Sequence, residues 1–278
     1  MQASMVDIDF GSINIDNLTL EIDEVGEMSE LEQKKFFELL NLFKFVILEC
    51  NSSISPEKNI LSLTDFLGSI KYHQNSNKDG IVPVTYSPGS PVSLVTTNEM
   101  APMHTDGSFE IEPPKLVALQ CEVPAKIGGI SQIVYAQSVY EYLAETYPEE
   151  LQNLFNVESF FVKLSDRKAS HYIFKKLEEN KISMIFRSEA GGATLEISPK
   201  VQNIFQAIKD YVNNPKNQLM FKLKANQILV LDNTSVLHGR TAFSKDEVRK
   251  LNKLWFDGKS KYTEHLQFGF IPKCSSAA

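Results

Sequence analysis

Residues 228–243 read ILVLDNTSVLHGRTAF: an apolar, β-branched run, a polar Asp232-Asn233-Thr234-Ser235 step, and a second apolar run that reaches His238. Each run is long enough for a buried strand and too short for a buried helix, so the stretch predicts two consecutive strands. The same texture extends in both directions. Downstream lie KLWF (253–256) and LQFGFI (266–271); upstream lie QLMFKL (218–223), ISQIVYA (130–136) and KLVALQCEVP (115–124), the last two joined by a turn that holds Gly128-Gly129. Many short strands at close spacing predict a β sandwich or barrel.

Helices frame this core. Ser29 followed by Glu32 reads as a capping box, and Phe36, Leu39, Leu40 and Phe43 recur at helical spacing, which predicts a helix over 29–42 and then a strand in FKFVILE. Residues 73–93 concentrate Gly, Pro, Asn and Ser and predict a loop, a candidate lid over whatever follows. Helical patterns cover 137–146 and 148–155, and Pro199 opens another helix with Val201, Ile204, Phe205 and Ile208 on one face. Between them FFVKL, ISMIFR and ATLEI read as short strands. The chain is therefore expected to be mainly β with flanking helices, one domain over 1–278, with an N-terminal helix and strand at 29–49 and a helical insert at about 137–212. Neither a strand followed by GxGxxG nor a GxxxxGK[ST] loop occurs, which removes the usual support for a nucleotide-binding α/β fold.

The 278 residues carry 28 Lys plus Arg against 35 Asp plus Glu, a net charge of −7, and 42% are hydrophobic, so a packed core is expected. An acidic chain without a basic run disfavours nucleic acid as a partner. The first residues, MQASMVDIDFGSINID, have neither a basic start nor an apolar stretch, and no window has the roughly eighteen consecutive apolar residues of a membrane span. Cys50, Cys121 and Cys274 are odd in number and widely spaced, which suits reduced thiols in a cytoplasmic protein. A small-molecule partner is expected; a homo-oligomer stays open.

In APMHTDGSFE, His104 and Asp106 stand two apart, so on extended backbone their side chains share a face and suit two ligands of one metal. His238 ends an apolar strand that needs no imidazole for packing, a natural third ligand. Two histidines and a carboxylate leave three octahedral positions open, as a non-haem Fe(II) oxygenase requires. A zinc hydrolase using the same three ligands is the competing metal reading. His73, His171 and His265 have no partner at ligand spacing and are expected at the surface, and Trp255 is expected in the core.

HTDGSFE, GGISQIV and LDNTSVLHGRTAF followed by VRKLNKLWF, taken in order and spacing over about 85–258, resemble the Fe(II)/2-oxoglutarate dioxygenases of the taurine dioxygenase, clavaminate synthase and γ-butyrobetaine hydroxylase superfamily. The resemblance implies a double-stranded β-helix (jelly roll) core over about 85–271, with His104, Asp106 and His238 as iron ligands. Fe(II) is then the cofactor, with 2-oxoglutarate and O2 as cosubstrates. Arg249 falls where the family's arginine grips the distal carboxylate of 2-oxoglutarate, Ser131 where a threonine usually assists it, and Arg240 is the alternative arginine. Asp106 fills the position that related halogenases leave to chloride.

The implied activity is hydroxylation of an unactivated C–H bond in an amino acid, a betaine-like acid or a natural-product intermediate, with release of succinate and CO2. Oxidative cleavage, desaturation and isonitrile formation share every site residue, and a noncatalytic metal- or 2-oxoglutarate-binding jelly roll is the non-enzyme alternative. Thr96, Thr97, Asn98 and Met100 before the ligands, and Phe109 after them, are candidates to line the substrate pocket. Arg187 and Lys253 are candidates to meet an acidic substrate group.

Overall fold

The computed structural model describes residues 13–51, 54–90 and 93–273; Cys274 and the first twelve residues lie outside that range. The chain opens with β1 (Thr19–Ile22), α1 (Glu30–Phe43), β2 (Phe45–Cys50), α2 (Pro56–Leu61) and α3 (Thr64–Leu67). Next come β3 (Val82–Thr85), β4 (Ala101–His104), β5 (Leu116–Val123) and β6 (Ser131–Tyr135). The insert holds α4 (Ala136–Thr146), α5 (Pro148–Leu151), β7 (Phe160–Leu164), β8 (Arg167–His171), β9 (Phe174–Lys176), β10 (Ile182–Met184), β11 (Thr194–Ile197) and α6 (Gln202–Asn213). The chain then returns through β12 (Leu219–Phe221), β13 (Gln227–Asp232), β14 (Val236–Arg240) and β15 (Lys250–Phe256).

The expected capping box is present: Ser29 Oγ accepts from the Glu32 amide while the Glu32 carboxylate accepts from the Ser29 amide. Phe36, Leu39 and Leu40 then bury one face of α1. One sheet runs β1-β2-β13-β5-β15-β3, antiparallel except for β1 with β2; the other runs β12-β6-β14-β4 and is wholly antiparallel. They face each other, since Phe45 of β2 stacks on Phe221 of β12 at 6.1 Å and approaches Tyr135 of β6 at 6.3 Å. The paired sheets form the jelly roll that the resemblance implied. β13 and β14, the two runs of the 228–243 stretch, fall on opposite sheets, so the polar step between them crosses the edge of the sandwich.

Two expectations about loops and insert need correcting. Within 73–93, Val82–Thr85 is a strand on the edge of the larger sheet, paired with Lys250–Lys253. Pro83 masked it, because proline is a turn residue in sequence but is tolerated on an edge strand. The 137–212 insert is helical only at its two ends. Its middle holds the sheet β11-β7-β8 and the β9-β10 pair, which bury Phe160, Val162 and Phe174 in the main apolar cluster.

Candidate functional site

β14 pairs with β4 so that His238 lies directly opposite His104, and their ring centroids are 4.5 Å apart. Asp106 follows β4 on a backbone held by Asn233, whose side chain accepts from the Asp106 amide at 2.8 Å and donates to the Asp106 carbonyl at 3.0 Å. The polar step of the 228–243 stretch thus positions the carboxylate. The Asp106 oxygens lie 3.6 Å from His104 Nε2 and 3.7 Å from His238 Nε2. Ligand atoms from all three buried residues fall within 4.8 Å of one another, the only such group among the described residues.

His104 Nδ1 lies 2.7 Å from the Pro102 carbonyl, which can only accept, so Nδ1 carries a proton and Nε2 is the nitrogen that faces Asp106. Burial, reinforced by the neighbouring His104, pushes His238 down to about 3, so its imidazole is neutral at physiological pH. Burial opposes ionisation of Asp106, but Lys253 above all outweighs it and holds the carboxyl well below its ordinary range. Two imidazole nitrogens and one ionised carboxylate are the donor set that a divalent transition metal takes.

Sequence reading missed the partners of Asp106. Lys253 Nζ donates to both carboxylate oxygens, at 2.9 and 3.1 Å, and Trp255 Nε1 donates to Oδ2 at 3.0 Å. Both come from β15, two apart and so on one face; that spacing in KLWF was the available signal. Lys253 is therefore the counter-ion of Asp106, and Trp255 is more than core. His73 and His171 are buried, not at the surface; only His265 is exposed. His73 packs edge-on against Trp255 at 4.8 Å and near Phe109 at 5.8 Å, where its polar sequence neighbours gave no hint of aromatic company. His171 turns inward on β8 because it alternates with exposed Lys168 and Ser170.

Buried neutral imidazoles tie stability to pH. Burial and then Lys253 push His73 down to about 3, like His238, so the unfolded chain binds protons near pH 6.5 that the folded chain refuses. Stability is complete above that pH and falls as pH drops, by about 1.4 kcal/mol per pH unit for each group. For the metal-free protein, urea midpoints are expected to fall between pH 7 and pH 5, and His73→Gln is expected to flatten the decline. An unchanged slope in that variant would show that His73 protonates in the folded state.

The three remaining polar candidates gather farther along the strands. Ser131 of β6 pairs with Arg240 of β14, two residues beyond His238. Arg240 donates to the carbonyls of Thr97 and Glu99 at 3.1 and 2.8 Å, so its guanidinium staples the segment before β4. Arg249 is as buried, its centre 5.6 Å from the Phe243 ring, and no hydrogen bond joins it to a protein acceptor among the described residues. Its Nε lies 3.0 Å from where a Cβ at Gly129 would stand, so a side chain there would crowd the guanidinium.

Of the pocket candidates, Phe109 and Arg187 are buried near the triad. Phe109 lies 6.1 Å from Trp255, and Arg187 is close enough to feel the charge of Asp106. Asn98 instead donates to the Phe243 carbonyl, Met100 is 51% exposed, and Thr96 caps a turn with Ser93. Their nearness in sequence to the ligands did not place them at the metal group, because the turn before β4 folds back onto Arg240 and Phe243. A cleft of about 380 Å³, lined by Lys71, Tyr72, Glu110, Ile111 and Glu112, reaches Trp255 from outside.

Known proteins resemble the chain in sequence and in fold. It is 24% identical over 258 residues to a uridine-5'-phosphate dioxygenase of a Streptomyces species, covering 83% of this chain and 91% of that one. It is 26% identical over 162 residues to the human gamma-butyrobetaine dioxygenase; that match covers 53% of this chain and only 41% of the longer human protein. An asparagine oxygenase solved with Fe(II), 2S,3S-3-hydroxyasparagine and succinate superposes with a TM-score of 0.64 at 12% identity, over 86% of this chain and 94% of that one. The sequence pattern of one family matches residues 9–255. The chain belongs to that family, the taurine catabolism dioxygenase TauD, TfdA family.

Proposed function

We propose that the protein is a single-domain Fe(II)- and 2-oxoglutarate-dependent oxygenase that hydroxylates an unactivated C–H bond of a small polar molecule, with release of succinate and CO2. The observation that carries this is the buried meeting of His104, Asp106 and His238 on paired strands. His104 Nε2, His238 Nε2 and one Asp106 oxygen would hold Fe(II). When bound, that ion supplies the activation of O2 coupled to decarboxylation of the 2-oxoacid.

The protein's own groups set the stage for that chemistry. Lys253 and Trp255 hold the Asp106 carboxylate in one orientation and keep it charged. Arg249, with Ser131, would receive the distal carboxylate of 2-oxoglutarate, since the guanidinium fork binds a carboxylate through two parallel hydrogen bonds. Ser131 stands opposite Arg240, two residues from His238, about 7 Å along the strand, a span that suits a five-carbon diacid reaching from the metal. His73 and Phe109 pack against Trp255, whose indole N–H holds Asp106 Oδ2.

The same reading gives the protein a small molecule as partner, not nucleic acid or a bilayer, and a reducing cytoplasmic setting in which the buried Cys50 and Cys121 stay as thiols. No helix among the described residues is long and apolar enough to cross a membrane. Anaerobic addition of Fe(II) and 2-oxoglutarate should produce a weak visible charge-transfer band that His238→Ala removes. Folded protein that gives no band would sink the reading and favour a zinc enzyme on the same ligands.

A further inference from the structure

Arg187, like Arg240 and Arg249, is a buried guanidinium without a carboxylate partner among the described residues. It is 4% exposed, Nη2 donates to the Ala190 carbonyl at 2.9 Å, and Nε has no partner. The backbone before it is fixed to the metal group: Phe186 accepts from the Thr105 amide at 2.8 Å and its own amide donates to Thr105 Oγ1 at 3.0 Å, Thr105 being the residue between His104 and Asp106. The turn after it is also fixed, because Gly191 packs so closely on Leu94 that a Cβ would lie 2.6 Å from the Leu94 amide nitrogen. A guanidinium held this firmly and left partly unpaired is a costly thing to bury unless an anion arrives.

The charges around the site leave room for one. Lys253 already offsets Asp106, one carboxylate of 2-oxoglutarate would meet the iron and the distal one Arg249, and Arg240 is held by the carbonyls of Thr97 and Glu99. Arg249 belongs to the cosubstrate in the proposal above, so Arg187 is the group without an assigned anion. Ser188 Oγ, on the next residue, and Ser108 Oγ, two residues beyond Asp106, are also buried without hydrogen-bond partners.

We infer that the substrate bears a carboxylate and that Arg187 receives it through Nε–H and a neighbouring Nη–H, fixing which carbon faces the metal. This rests on the oxygenase reading. The anchor is separate from Lys253, which is tied to Asp106, so specificity for an acid resides on the 187–193 segment and not on β15.

The test uses the chain's single tryptophan, Trp255, as a reporter within the site. Protein loaded with Mn(II) and N-oxalylglycine, an inert analogue that keeps Arg249 occupied, is titrated with sodium acetate and with acetamide at constant ionic strength while fluorescence is read. Acetate is expected to give a saturable change and acetamide none. Arg187→Gln should weaken acetate by about tenfold or more, the loss of one or two charge-assisted hydrogen bonds. Arg187→Lys keeps the cation and should retain saturable binding, shifted several-fold; it decides the matter if the glutamine variant does not fold. No preference for acetate over acetamide in the wild type, or identical curves for wild type and variants, would overturn the assignment. The Fe(II)–2-oxoglutarate band, measured on the same preparations, should survive in Arg187→Gln. Its absence from the wild type would count against the oxygenase and not against the anion site.

Discussion

Asp106→Ala is expected to bring 2-oxoglutarate-dependent turnover to background and also to destabilise the fold by about 3–5 kcal/mol, the usual consequence of stranding one partner of a buried ion pair. The stranded partner is Lys253, which is 6% exposed and whose two hydrogen bonds to Asp106 would vanish together with that from Trp255. The two losses can be separated. Lys253→Met added to Asp106→Ala should recover much of the stability and none of the turnover, a coupling that a double-mutant cycle in urea would measure. His104→Ala and His238→Ala should also lose turnover, with smaller stability changes, because neither imidazole carries a buried partner charge. Equal destabilisation by all three would mean that Lys253 finds another partner, and retained activity in any of them would remove that residue from the metal.

Arg249→Ala has the next largest expected effect: a rise in KM for 2-oxoglutarate of about a hundredfold, from roughly 3 kcal/mol of lost charge-assisted hydrogen bonding. The Fe(II) affinity of the triad, read by anaerobic titration without cosubstrate, should be almost unchanged. Arg240→Ala should behave differently, since that guanidinium already bonds to the carbonyls of Thr97 and Glu99. Its removal should lower the melting temperature and leave the cosubstrate KM near the wild-type value. The opposite pattern would exchange the roles of the two arginines.

Much of this site is legible in the amino-acid sequence because its ligands obey short-range rules. The two-residue step from His104 to Asp106, the apolar run that reaches His238 and the Ser29–Glu32 capping box are local patterns; the capping box appears where expected, and the three ligand candidates meet, although Asp106 lies in the turn after β4 and His238 lies within β14 and not at its end. The illegible part depends on which strands become neighbours. Lys253 and Trp255 meet Asp106 only because β15 runs alongside β5 in the facing sheet, and His73 is buried only because Trp255 and Phe109 close over it. Pro83 hides an edge strand, and nearness to the ligands along the chain points Thr97 and Asn98 at the pocket although the Thr97 carbonyl binds Arg240 and the Asn98 side chain binds the Phe243 carbonyl.

The Asp232–Ser235 step also bears on how the sandwich finds its alignment. Every residue of β13 and β14 is buried, so neither strand has the alternation of apolar and polar positions that normally penalises a slip by one residue. Hydrophobic burial alone would accept His238 opposite Met103 nearly as readily as opposite His104. The polar groups would not. Asp232 shapes the turn by accepting from Thr234 and Ser235, while Asn233 clasps the Asp106 backbone and the Pro114 carbonyl, and a displaced chain would leave these Asn233 bonds unmade inside an apolar interior. Substitutions at Asp232 or Asn233 should therefore show first as a poor yield of correctly assembled protein. The residues that present the carboxylate to the metal also act as the proofreading step of folding.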